Sequence, residues 1–134
     1  MKFFGAAGAL GLLIGVLLGA FAAHILAGWI SHEMLNVFET GVRYEMYHSL
    51  ALLAVAFLSS KGKLFRYAGA MYIAGIVLFS FSLYVLAITG DPSFGIITPI
   101  GGTAFIAGDL FLLAGFLKIL VSSTRPGSHR FHYP

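Results

Sequence analysis

Long apolar runs separated by short polar clusters occupy the chain from Gly5 to Val121. The first run, about Gly5 to Ala27, is long enough to cross a hydrocarbon core of about 30 Å at about 1.5 Å per helical residue. Met1-Lys2 before it and Ala22-Ala23 near its end give it the outline of a secretory signal. A signal's apolar region is typically about 7–15 residues, so this longer run reads as a retained span. The stretch from Trp29 to Tyr47 has mixed polarity and passes without a proline or turn cluster into an apolar run from Tyr47 to Ser60. Ser31 to Ser60 therefore reads as an interfacial helix that leads into, or is continuous with, a second span. Lys61-Gly62-Lys63 is the strongest short loop signal. A third run follows from Phe65 to Thr89, then a turn by composition at Gly90-Asp91-Pro92-Ser93. Ile96-Ile97-Thr98-Pro99 opens a fourth, with Pro99 expected in the first helical turn, where its missing N–H costs little. The predicted fold is all-α: a four-transmembrane-helix bundle over residues 1–121, followed by a polar cytoplasmic tail over 122–134. No internal repeat supports an inverted-repeat transporter design.

Composition agrees with the pattern. Of 134 residues, 59% are hydrophobic and 10% charged, against about 25% charged in soluble domains. A net charge of +3 would suit nucleic acid, but the basic residues sit in the short segments between apolar runs, so no nucleic-acid partner is expected. Lys2, Lys61, Lys63, Arg66, Lys118, Arg125 and Arg130 fall on one side of the four-span topology and Arg43 alone on the other. Cytoplasmic segments carry the excess of Lys and Arg, so both termini are expected inside. The expected location is a bacterial inner (cytoplasmic) membrane, crossed several times. With no cysteine, disulfides, thiolate metal sites and cysteine nucleophiles are excluded.

Lipid provides little hydrophobic drive between helices, so small residues that let backbones approach do much of the packing. Gly11, Gly15, Gly19 and Ala23 make a slanting stripe on the first span, and Gly101, Gly108 and Gly115 repeat at heptad spacing on the fourth, with Ala104 nearby. Each stripe asks for a helix against it, from this chain or from a second copy.

Titratable groups inside a membrane are expensive, so each needs a partner or a role. Asp109 lies near the middle of the fourth span, at a helical angle that aims it into the bundle. It reads as a hydrogen-bonded tie between helices or as a proton or cation site. His24 and His48, placed at similar depth on successive antiparallel helices, read as hydrogen-bonded interface residues or as ligands of a b-type haem or a metal. Glu39 and Arg43 are spaced for an i,i+4 pair in the favourable order, with Tyr47 on the same stripe. Tyr44 and His48 form a second such pair, roughly 140° around the helix. The structural reading has Glu39–Arg43 locking the outer end while Tyr44 and Tyr47 anchor at the headgroups. In the functional reading Arg43 grips a lipid phosphate or an anionic group. No residues have metal-site spacing, and no cofactor is expected.

Three segments carry a family resemblance: Gly19-Ala20-Phe21-Ala22-Ala23-His24, Glu39-Thr40-Gly41-Val42-Arg43-Tyr44-Glu45-Met46-Tyr47-His48-Ser49-Leu50, and Thr98-Pro99-Ile100-Gly101-Gly102. In these the chain resembles the small membrane-protein family known as domain of unknown function 423, with transmembrane protein 256 as its vertebrate relative. The resemblance covers the chain up to Val121 and implies a four-helix membrane protein of unestablished activity. It implies that His24, Glu39, Arg43, Tyr44, Tyr47 and His48 are the positions to test first. Asp109 departs from the pattern, since relatives tend to carry an aromatic residue there, and so does the basic tail.

No nucleophile–base constellation or phosphate loop stands in the sequence. The expected function is non-enzymatic: a small membrane protein that acts through helix–helix contacts among lipids, as a homo-oligomer or as an accessory subunit of a larger complex. The alternatives are a proton or small-ion pathway through Asp109 with His48 or His24, and a haem-bearing electron carrier ligated by His24 and His48.

Overall fold

A computed structural model describes residues 2–124, and these are all-helical. The expected tail residues Arg125, His129, Arg130 and His132 lie outside the described residues. Helix α1 (Lys2–His24) ends in a short 3-10 turn (Leu26–Gly28). Helix α2 (His32–Leu58) is continuous, so the interfacial segment and the second apolar run form one rod. Ser31 Oγ caps it by accepting the Met34 N–H at 3.2 Å, a contact worth about 1 kcal/mol. Helix α3 (Lys63–Gly75), a π-helical turn (Ile76–Ser80) and helix α4 (Phe81–Thr89) follow as one rod. Gly90, at φ 68°, ends it in the left-handed conformation that glycine adopts without strain.

Helix α5 (Ser93–Ser123) begins earlier than the sequence predicts. Asp91 Oδ1 accepts the Ser93 N–H at 2.9 Å, and this hydrogen bond holds the exposed carboxyl below its usual range. Because the helix starts there, Pro99 falls in its second turn, not its first. Its missing N–H leaves the Gly95 carbonyl without an intrahelical donor.

Lys2–Gly28, Lys63–Thr89 and Ser93–Ser123 are long and apolar enough to cross a membrane. Helix α2 is not among them, because Glu33, Glu39, Arg43 and Glu45 lie along it.

Each rod packs chiefly on its neighbour in sequence, in the order α1, α2, α3–α4, α5. The glycines give the register. A Cβ on Gly8 would stand 2.7 Å from the Ser49 carbonyl oxygen, one on Gly15 2.7 Å from Met46 Cγ, and one on Gly19 3.6 Å from Val42 Cγ1. Helices α1 and α2 are therefore antiparallel. On α5, Cβ atoms at Gly115 and Gly108 would press on the Phe65 and Tyr72 rings at 2.8 and 2.7 Å, and one at Gly101 would stand 2.7 Å from Phe79 Cα. Both predicted small-residue stripes thus find their partners within this chain.

Two apolar cores fill the bundle. Ala22, Leu26, Phe38, Val42 and Ala87 pack near the α1–α2 connection. Leu52, Val55, Ala68, Tyr72 and Phe105 pack toward the other end. Between them lies a polar waist of Glu45, Ser49 and Ser80, all buried.

Candidate functional site

The π turn shapes the waist. The Phe81 N–H bonds to the Ile76 carbonyl, five residues back, and the extra residue rotates everything after it. Buried positions run Phe65, Ala68, Gly69, Tyr72 and Gly75 before the turn, then Ser80, Ser82, Leu83 and Ala87 after it. The step of five from Gly75 to Ser80 replaces the three or four of a regular helix face. Such turns recur at functional positions. Here it brings Ser80 and Tyr84 to α2.

The Tyr84 hydroxyl donates to Glu45 Oε2 in a short hydrogen bond. Glu45 is the middle residue of α2 and only 4% exposed. Ser49 Oγ and Ser80 Oγ are buried with no hydrogen-bond partner among the described residues. Glu45 forms part of the wall of a cavity of about 560 Å³, together with Ile14, Phe21, Phe38, Val77 and Tyr84. This groove runs between α1 and α4, over α2.

A second polar group lies between α2, α3 and α5. The Tyr72 hydroxyl donates to Asp109 Oδ1 at 2.8 Å. The His48 ring stacks on Phe105 with centroids 3.5 Å apart and planes 8° from parallel, and its centroid is 5.2 Å from that of Tyr72. His48 Nδ1 is 2.7 Å from the Tyr44 carbonyl oxygen. A carbonyl only accepts, so Nδ1 carries the hydrogen, and in the neutral ring Nε2 keeps a free lone pair.

Several expectations need correction. Asp109 is exposed at the rim of α5, and one oxygen reaches inward to Tyr72. The Glu39–Arg43 pair is not made: Arg43 Nη2 donates instead to Thr40 Oγ1 at 2.9 Å, one residue nearer along the helix. Tyr44 packs on Phe79 with ring centroids 4.8 Å apart, halfway along α2, and Tyr47 is 59% exposed beside it. His24 and His48 are not at matched depth. Ser49 faces Gly11, and from that level to His24 the α1 axis rises about 20 Å. No single haem iron is ligated by both at that separation, and among the described residues no group of three metal-ligating side chains forms.

Glu45, Tyr72, Tyr84, Ser49 and Ser80 are site residues that the sequence reading passed over. An acidic residue midway through a 27-residue helix was the available signal for Glu45. Nothing in the sequence announces the tyrosines' partners.

The family model described as "Protein of unknown function (DUF423)" matches residues 18–102. The UPF0382 membrane protein YwdK of Bacillus subtilis is 47% identical over 90% of this chain and 100% of its own length. A UPF0382 membrane protein of Staphylococcus aureus, SAB0533, is 44% identical over 88% of this chain and 98% of its own length. One from Haemophilus influenzae is 42% identical over 77% of this chain and 84% of its own length. No solved structure matches the chain.

Proposed function

The chain belongs to the DUF423 family of proteins of unknown function, with bacterial membrane proteins as relatives, and from that premise we propose a non-enzymatic protein of the bacterial cytoplasmic membrane. It crosses the bilayer four times with both ends inside. It acts through contacts with other membrane helices, as a homo-oligomer or as an accessory subunit of a larger complex.

Crossing by α2 is supported by its 27 residues, about 40 Å of helix, and by its place between α1 and α3–α4. The excess of Lys and Arg on one side supports the orientation. The absence of cysteine makes single-cysteine labelling a direct test. Trp29→Cys should react with an impermeant maleimide in intact cells and Ser60→Cys only after lysis. The opposite pattern, or labelling of both from outside, refutes the topology.

Asp109 carries the contact reading. It sits one residue past the midpoint of α5 with its side chain exposed, where an unpaired Asp costs about 2.5–3.5 kcal/mol on insertion scales. Tyr72 occupies one carboxyl oxygen; a donor on a neighbouring helix would occupy the other. Native mass spectrometry of lipid particles should show an assembly that Asp109→Leu dissociates at least tenfold more readily. A second copy of the chain makes the protein a homo-oligomer, and stoichiometric larger subunits make it accessory. Wild-type monomers alone overturn the reading.

The Asp109–Tyr72 hydrogen bond and the adjacent His48 ring support a second reading, a proton pathway. Proton flux in proteoliposomes that exceeds that of empty vesicles and is lost in Asp109→Asn would establish it. Wild-type flux equal to that of empty vesicles removes it.

A further inference from the structure

We propose that the groove between α1 and α4 is a binding site for amphiphilic amines, molecules with an apolar body and a protonated amino group, with Glu45 as the receptor for the amine. The site is separate from the α5 face on which Asp109 lies. Its size, about 560 Å³, is within the range of small-molecule sites, about 300–1,000 Å³.

The walls are apolar and aromatic. Phe21 packs on Phe38 with centroids 6.3 Å apart, and Phe38 on Tyr84 at 4.7 Å. Aromatic faces attract a cation through the ring quadrupole, more strongly where water is excluded. The mouth opens sideways between Val77 and Phe81, 58% and 61% exposed, toward the space that lipid fills around a spanning bundle. A ligand dissolved in the membrane can enter there without crossing water.

Two observations at the floor point to the amine. Glu45 has one oxygen occupied by the Tyr84 hydroxyl, and no hydrogen bond to its other oxygen forms among the described residues. Ser80, which also lines the groove, is fully buried, and its hydroxyl makes no hydrogen bond within 3.5 Å among the described residues. Leaving a buried polar group unsatisfied costs about 1–3 kcal/mol. An ammonium has three N–H donors and no acceptor, so a head group in the groove can serve the free carboxyl oxygen of Glu45. Charge complementarity selects the amine over a neutral alcohol, and the cavity's apolar wall selects a chain-bearing amine over a small hydrophilic one.

Dodecylamine titrated into protein in phosphatidylcholine nanodiscs, with protein-free nanodiscs subtracted, tests the site. Wild type should show saturable binding near one per chain, with dodecanol at least tenfold weaker. Glu45→Gln should weaken dodecylamine binding at least tenfold, while Glu39→Gln leaves it unchanged. Val77→Trp, which fills the mouth from the lipid side and leaves the waist intact, should weaken it similarly and covers the case in which Glu45→Gln does not fold. No saturable wild-type binding, equal affinity for dodecanol, or unchanged binding in Val77→Trp overturns the proposal. So does quantitative disulfide formation between two copies of Val77→Cys, which would mean that a helix occupies the groove.

Discussion

Gly101→Ala is expected to destabilise the bundle by about 1–3 kcal/mol or more, read as a lower unfolding midpoint in detergent or lipid particles. The added methyl would stand 2.7 Å from both the Leu78 carbonyl carbon and Phe79 Cα. These are main-chain atoms of the π turn, so no rotamer change relieves the clash. Either α5 moves away or the turn unwinds. Gly102→Ala is the matched control: its Cβ would meet only the edge of the Phe79 ring, at 3.8 Å. There the better helix propensity of alanine should leave stability unchanged or raised. Equal stability of the two variants would mean that α5 does not rest on the π turn.

Tyr84→Phe is expected to cost about 1–3 kcal/mol, because it removes the only donor, among the described residues, to a carboxyl that is almost wholly buried. Glu45→Leu should cost less, since Tyr84 can turn its hydroxyl toward Ser80 across the same groove. Combining the two replaces both ends of the hydrogen bond with apolar groups, and most of the Tyr84→Phe loss should return. A double-mutant cycle from equilibrium unfolding measures the coupling, expected at about 0.5–3 kcal/mol. Strictly additive effects would deny that the two side chains act as a pair.

The apolar runs and loop signals made the helices legible, because length and turn chemistry are local properties. Pairing of helices was half legible: the stripes at Gly11, Gly15, Gly108 and Gly115 marked close approach without naming a partner. The π turn was hidden, since Gly75 to Phe79 is apolar all round and such a stretch has no polar side from which to read a phase. Glu45 is less conspicuous than the Glu39–Arg43 spacing, yet an isolated i,i+4 pair gains only a few tenths of a kcal/mol, and Arg43 donates to Thr40 instead. His24 and His48 were misjudged in depth for want of register. That register depends on which α2 residue each glycine meets, and residue spacing alone does not contain it.

Pairing of each rod with its neighbour in sequence bears on biogenesis. As α1 and α2 leave the ribosome they can dock through Gly8, Gly11 and Gly15 before the rest of the chain exists. The segment from Lys63 onward can then close on α5 as a second hairpin through Gly101, Gly108 and Gly115. The seam of α2 with α3–α4, where Gly41 lies under Tyr84 and Glu45 meets the same ring's hydroxyl, needs no residue of α5 and can form as soon as α4 is made. The polar waist can therefore close before α5 exists, and each rod has a docking surface waiting on the rod made just before it.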